Sequence, residues 1–440
     1  MGLSGWSSPI MMIISFFMCY LAVSNYMAKE LGRDISTVTY EEAAVYVKGY
    51  AYAMLIGAFA AFFVHSSEMR RKVYLLAYGT VVMLVTTDQK WDKKKLPDPD
   101  SIKGQPTNTS KRIIFIRHGE SLWNEAFNGS KRPDKFLYQV AKALVGEFML
   151  LPEFDSVLLD SPLNELGFSQ AKLLSRALAS WPRGVDQELR TEQLARDVAS
   201  LRGDPEGPTS VVVTSNLRRA AQTAVVALWA RFKPLDEIDC EEDFEFDHES
   251  SSVGSGGVSL GQVGQFPETI KVLSALQEVS RNVDTLSLTG THSPVPLQGV
   301  QAALNLSSPV DAAELFSCAH NAGNKPVFGT GLQRMQTFCE WVFSQEEEVV
   351  ICAGHSLWFK HFFNTYLPAS AEGHDALDCK MKNGGCVAFT LERGKSVGSN
   401  GGHPDVFVHR ADPDSITIVD GGFDNKKKLQ KAAAKAKKAS

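Results

Sequence analysis

Apolar and polar positions divide the chain into two textures. No Lys, Arg, Asp or Glu occurs from Met1 to Ala28, and Pro9–Met27 is a near-continuous apolar run. A second uncharged stretch, Gly49–Ser67, includes Gly57, Ala58, Ala60 and Ala61, small residues that let helices approach closely. A third, Val73–Thr87, is shorter than the roughly 20 residues a bilayer span needs. The pattern predicts a membrane anchor of two or three transmembrane helices over 1–90. A cleaved signal peptide would want a basic segment ahead of the first run, and none is present. Buried helices of a soluble domain are the other way to accommodate three such runs.

The texture changes after a Lys-, Pro- and Asp-rich segment (KKKLPDPD), which reads as a linker without a packed core over 91–110. Ile113–Ile116 is a β-branched and aromatic run that ends in Arg117-His118-Gly119, as a buried parallel strand entering a loop would. Ser210–Thr214, Thr269–Ala275, Glu348–Ala353 and Gly385–Leu391 are further strand candidates. Helical spacing falls on Ser169–Leu178, Ala220–Trp229 and Gly331–Ser344, and Phe136–Leu151 reads as an additional helix. The alternation predicts a three-layer α/β/α sandwich with a mostly parallel sheet over 111–410. An insertion at 234–265, acidic and then Gly/Ser-rich, interrupts it. A basic tail, 411–440, closes the chain with seven lysines after Asn425. That tail suits a disordered solubilising end, a solvated helix end or a patch for anionic lipid.

Composition narrows the function. Of 440 residues 44% are hydrophobic and 22% charged, which excludes a mostly disordered chain and a polytopic transporter. The net charge of −5 gives no nucleic-acid signal. Seven scattered cysteines form no CxxC pair and read as free thiols in a reducing compartment. With three spans, the positive-inside bias would put Lys29, Arg33, Lys48 and Lys90–Lys95 in the cytosol, and with them the C-terminal domain. The expected location is therefore an integral membrane protein whose catalytic domain faces the cytosol. The sequons at Asn108, Asn128 and Asn305 then carry no meaning.

The candidate chemistry sits where strands end. Arg117-His118 follows the first strand, Arg218-Arg219 the second, Glu278 the third and His355 the fourth. C-terminal strand ends converge on one crevice in an open parallel sheet. Arginine forks grip phosphoryl oxygens. A neutral imidazole can attack phosphorus, and neighbouring arginines favour the neutral form. A carboxylic acid can protonate the leaving oxygen and then activate water. No metal or other cofactor is required by such a set.

Arg117-His118-Gly119-Glu120-Ser121, with Trp123 and Asn124, resembles the RHGES-x-WN signature of the histidine phosphatase superfamily, in its phosphoglycerate-mutase-like branch. Ser161–Ala171 (SPLNELGFSQA) is similar to that family's P-L-T-x-x-G-x-x-Q-A segment, Ser215–Ala224 (SNLRRAAQTA) to its S-P-L-x-R-A-x-Q-T motif, and Gly354–Trp358 to its second histidine motif. The matches run in family order from Arg112 to Leu391. The resemblance implies that His118 is the nucleophile, that Arg117, Arg218 and His355 form the rest of the phosphate pocket, that Asn124 is an auxiliary contact, and that Glu278 is the general acid, with Glu120, Glu245 and Asp247 as competing carboxylates. Arg219 reads as a surface or structural arginine.

Departures from the pattern bear on the reaction. Glu125–Asp160 is long and unlike the mutase segment, and Ser280-Arg281-Asn282-Val283 stands where mutases carry E-R-x-Y/F-G. Hydrolysis of a phosphate monoester is therefore expected over a mutase-type phosphoryl transfer. A catalytically inactive phospho-ligand binder or scaffold is the remaining alternative. Expected partners are a phosphorylated small molecule or phosphoprotein and the bilayer, with no nucleic acid. Gly257–Gly261 matches G-x-S-x-G without a preceding strand, and Gly394-Lys395-Ser396 lacks the first glycine of a P-loop.

Overall fold

The structure is a computed structural model that describes residues 66–128, 132–181, 192–233, 266–396 and 406–425, with isolated positions at 49, 52 and 55–57. It divides into two compact units, Met1–Val73 and Tyr74–Ser440. Of the first, only the isolated positions and the start of helix α1 (Ser67–Val85) are described.

The second unit is built on one eight-stranded sheet. Its strands are β1 (Thr109–Arg117), β2 (Ser210–Thr214), β3 (Ile270–Val272), β4 (Phe316–Ser317), β5 (Val349–Gly354), β6 (Cys386–Ser396), β7 (Val406–Ala411) and β8 (Thr417–Asp420). The order is β4-β3-β2-β5-β1-β6-β7, with β8 also paired to β6. The five strands from β4 to β1 are parallel, whereas β6, β7 and β8 are antiparallel to their neighbours. The expected parallel sheet is thus confined to the half that carries the candidate chemistry.

Period-two burial puts the strands' apolar residues on both faces. Ile113 and Phe115 join Val211, Val213, Val350 and Cys352 on one face, where α7 (Gly331–Ser344) and α8 (Ser356–Tyr366) cover them. Ile114 and Ile116 join Val212, Ile351 and Ala353 on the other, under α4 (Glu165–Ala179), α5 (Glu192–Arg202) and α6 (Arg218–Ala227). This is the expected three-layer arrangement. Two more helices, α2 (Leu122–Asn128) and α3 (Pro133–Met149), follow β1.

Aromatic packing fixes α8 against the sheet. The Phe115 and Phe359 rings stack with centroids 4.1 Å apart, and the Trp358 indole donates to the Ala275 carbonyl at 2.8 Å. Each fully buried phenylalanine contributes roughly 1.5–3 kcal/mol. The start of α8, where His355 lies, is therefore held by its own hydrophobic face.

Three expectations about the ends of the domain differ from the structure. Among the described residues no helix is long and apolar enough to cross a membrane. Pro9–Met27 and nearly all of Gly49–Ser67 lie outside the described residues, but the third apolar stretch falls on α1 and does not span. Its Leu75 packs with Phe154, Leu159 and Leu288, and a Cβ on Gly79 would meet Val283 at 2.8 Å. The expected linker 91–110 contains two 3-10 turns, buries Ile102 completely and sets Asp100 against Arg410 at 3.4 Å. The expected boundary at 410 falls inside β7, and β8 and the buried Phe423 extend the domain beyond it. The insertion 234–265 and the lysine run after Asn425 lie outside the described residues.

Candidate active site

β1 and β5 are in register through Arg117 opposite Gly354, so His118 and His355 leave the sheet side by side. Their rings lie with centroids 5.1 Å apart. A cavity of 530 Å³ opens at this edge, lined by Arg117, His118, Glu120, Asn124, Arg219, Glu278 and Asp284 among others. Gly119 is required here for space, because a Cβ there would collide with the backbone of Gly167.

The His118 ring is buried, and its Nδ1 lies 2.6 Å from the Gly119 carbonyl. A carbonyl oxygen only accepts, so Nδ1 carries the proton and Nε2 keeps its lone pair. Burial, then Arg219 and Arg117, holds this histidine well below the ordinary imidazole value. It is therefore neutral, with the free nitrogen a nucleophile needs. His355 is also held well down by burial, Arg219 and His118. Its Nε2 lies 2.9 Å from the Ser215 hydroxyl, and its buried Nδ1 has no hydrogen-bond partner.

The two adjacent arginines are placed the other way round from the expectation. Arg218 is fully buried, and its side chain is consumed by structure. Its Nε donates to the Asp160 carbonyl at 2.7 Å, its Nη2 to the Ser156 carbonyl at 2.7 Å, and its Nη1 pairs with Asp155. It does not line the cavity. Arg219 does, with its Nη1 donating to the Asp284 carbonyl at 2.9 Å and its Nη2 3.4 Å from the Asp284 carboxylate. The physical reason is helical phase: successive residues at the start of α6 point about 100° apart, so only one can face the site. The sequence held the signal, since the S-P-L-x-R-A pattern counted from Ser215 lands on Arg219. Arg117 faces the cavity with a buried Nε that lacks a partner; burial pulls its guanidinium down to about 10, opposed by Glu278.

Four carboxyls, Glu120, Glu278, Asp284 and Asp424, line the cavity. Glu278 accepts backbone N–H groups from Val279 at 3.0 Å and Trp358 at 2.8 Å on one oxygen, and from Leu357 at 3.4 Å on the other. Two of those donors are the first turn of α8, a helix start that favours negative charge. Asp284 was not anticipated from the sequence. Burial raises it to about 6 despite Arg219, and its Oδ1 has no partner. Burial and the neighbouring Glu125 raise Glu120 more modestly. Glu245 and Asp247 lie outside the described residues.

Behind the cavity, the buried Lys325 ammonium donates to the carbonyls of Glu278 at 2.7 Å and Ser280 at 2.6 Å. It pairs at 3.0 Å with Asp88, itself 2.6 Å from Arg334. The segment after α1 therefore helps position the loop that carries Glu278. Among the described residues no group of His, Cys, Asp and Glu is arranged to hold a metal ion. A second cleft of 350 Å³, lined by Tyr366, Arg393, Phe407 and His409, contains none of the residues above.

No family model matches the chain, and neither does any curated protein. Several solved structures are similar to it. A mycobacterial glucosyl-3-phosphoglycerate phosphatase in complex with VO3 has 16% identity over 69% of this chain and 97% of that one, with a TM-score of 0.29. A mycobacterial hydrolase has 14% identity over 69% and 97%, with a TM-score of 0.28. A phosphoserine phosphatase from Entamoeba histolytica, in complex with 3-phosphoglyceric acid, has 13% identity over 63% and 89%, with a TM-score of 0.26.

Proposed function

We propose that the protein is a phosphatase that hydrolyses a phosphate monoester through a phosphohistidine on His118. One observation carries this reading: a neutral His118, with Nε2 free, lines a cavity shared with Arg117 and Arg219. The Nε2 lone pair attacks phosphorus, the bond from phosphorus to the ester oxygen breaks, and that oxygen takes a proton. Water then attacks the phosphohistidine, the P–N bond breaks and inorganic phosphate leaves. Arg117 and Arg219 offset the charge on the equatorial oxygens, so the reaction needs no metal.

The proton has two candidate sources. Glu278 is the acid implied by the resemblance. Asp284 is favoured by its unpartnered oxygen and its titration at about 6, whereas the Glu278 oxygens already accept backbone N–H groups. Glu278→Gln and Asp284→Asn, compared on an aryl and an alkyl phosphate, separate them. Only the donor's loss spares the aryl ester, whose leaving group needs no proton. We also infer that the uncharged stretches before Ser67 hold the domain on a membrane, with the domain in the cytosol.

The test is hydrolysis of para-nitrophenyl phosphate by the full chain with EDTA present, beside His118→Ala. Turnover that survives chelation and disappears in the variant supports the reading. Folded wild-type protein that binds a phosphate analogue without turnover would instead support a phospho-ligand binder.

A further inference from the structure

Helix α3 has its inner side on the domain. Ala143 is buried, and the Glu147 carboxylate accepts from the Ser156 hydroxyl at 2.7 Å and from the N–H groups of Val157 at 2.8 Å and Leu158 at 3.0 Å. Its outer side is apolar and uncovered by any described segment. Tyr138 is 71% exposed, Leu137 70%, Met149 69% and Phe148 68%, with Val145 and Leu144 also open. At 3.6 residues per turn, Leu137, Leu144 and Phe148 form the centre of this face, with Tyr138 and Met149 on one margin. Between Phe136 and Met149 the exposed positions include a single charge, Lys142. Lys142 and Lys135 lie together just beyond that margin, where the apolar face gives way to the polar one.

We propose that this face docks on a lipid bilayer with anionic headgroups, the helix lying in the plane of the interface. An apolar arc with lysines at its edge is the pattern of an interfacial helix, which sinks about 5–10 Å into the headgroup boundary. Two further features commit the occupant to lipid. The uncharged stretch Gly49–Ser67 ends where α1 begins, and a second one, Pro9–Met27, precedes it in the chain. From Tyr74 onward α1 exposes Tyr74, Leu76, Val81 and Leu84, with no charged residue between Val73 and Thr87. α1 and α3 also lean on the same loop, through Leu75 against Phe154 and Leu159 and through Glu147 against Ser156–Leu158. The docking face lies one helix from the cavity, because α2 carries Asn124 into its wall and Glu125 to within 3.7 Å of Lys142.

The test uses the full chain in vesicles of phosphatidylcholine with phosphatidylserine, made with ordinary or chain-brominated lipid. A polarity-sensitive fluorophore is attached at Phe148→Cys and, as control, at Glu346→Cys. Glu346 is exposed and precedes β5, at the opposite edge of the sheet from the cavity. Labelled wild-type chain corrects for native thiols. Brominated lipid should quench the Phe148→Cys label about twofold or more, as expected for a probe below the headgroups, and leave the control unchanged. The same fluorophore at Val145→Cys should lose its quenching when Leu137→Glu is added, while the melting temperature stays the same. No quenching at Phe148→Cys overturns the proposal. So does a blue-shifted label that ignores bromine, which would mean that protein, from this chain or a second copy, covers the face. Because the readout is fluorescence, a protein that proved not to be a phosphatase would leave this result standing.

Discussion

Arg218 and Arg219 are neighbours in sequence with opposite jobs, and separate substitutions should show it. Arg219→Ala removes a guanidinium from the cavity wall that holds His118. Hydrogen bonds to charged groups contribute about 1.5–3 kcal/mol each, and losing a donor aimed at developing charge costs about 10²–10³-fold in kcat. The variant should fold, because Asp284, left without Arg219, can keep a proton. Arg218→Ala leaves Asp155 and the carbonyls of Ser156 and Asp160 without their shared donor. Breaking a buried pair this way costs about 3–5 kcal/mol. At about 2–4 °C per kcal/mol for a domain of this size, the melting temperature should fall by roughly 6–20 °C. The assay is calorimetry beside para-nitrophenyl phosphate turnover, normalised to folded protein. An Arg219→Ala enzyme within threefold of wild type, or an Arg218→Ala enzyme that melts normally and is dead, would refute the assignment.

Other expectations follow from the same geometry. If Asp284 supplies the proton, activity on alkyl phosphates should fall as pH rises through about 6, and Asp284→Asn should remove that limb of the profile. Stability should show opposing pH terms. Asp284, raised in the folded state, contributes most below its ordinary value near 4 and loses that contribution as pH rises through about 6. His118 and His355, lowered in the folded state, make stability fall as pH drops below about 6.5, and melting curves of His118→Ala should show a shallower slope there. Gly119→Ala forces a methyl into the Gly167 backbone and should cost about 1–3 kcal/mol or more, read by denaturant melts. Lys325→Met should destabilise by less than the about 3–5 kcal/mol of a fully broken buried pair, because Arg334 still pairs with Asp88, and a double-mutant cycle with Asp88→Asn should read the coupling.

Strand ends were the legible part of the sequence. Ile113–Ile116, Ser210–Thr214 and Glu348–Ala353 are β-branched runs, and they form adjacent strands whose ends bring the two histidines together. α8 was missed because its run, Leu357–Tyr366, is dominated by aromatic residues and only Lys360, His361 and Asn364 mark its outer side. The two-residue β4 is too short to carry a pattern, and β8 reaches back past β7 to pair with the start of β6. Arg218 and Arg219 have the same charge and differ only in helical phase, which a strand-to-helix junction sets. Asp284 lies in a loop with no motif, and its burial against Arg219 is visible only in three dimensions. The apolar stretch Val73–Thr87 shows no alternation that would reveal the side of α1 that packs on the domain through Leu75.

The central claim concerns one nitrogen. Wild-type chain incubated briefly with a radiolabelled phosphate ester and quenched in alkali should retain label that is stable to base and released by acid. Peptide mapping should assign it to His118, and His118→Ala should retain none. Label on another residue, or full turnover by His118→Ala, would contradict the account.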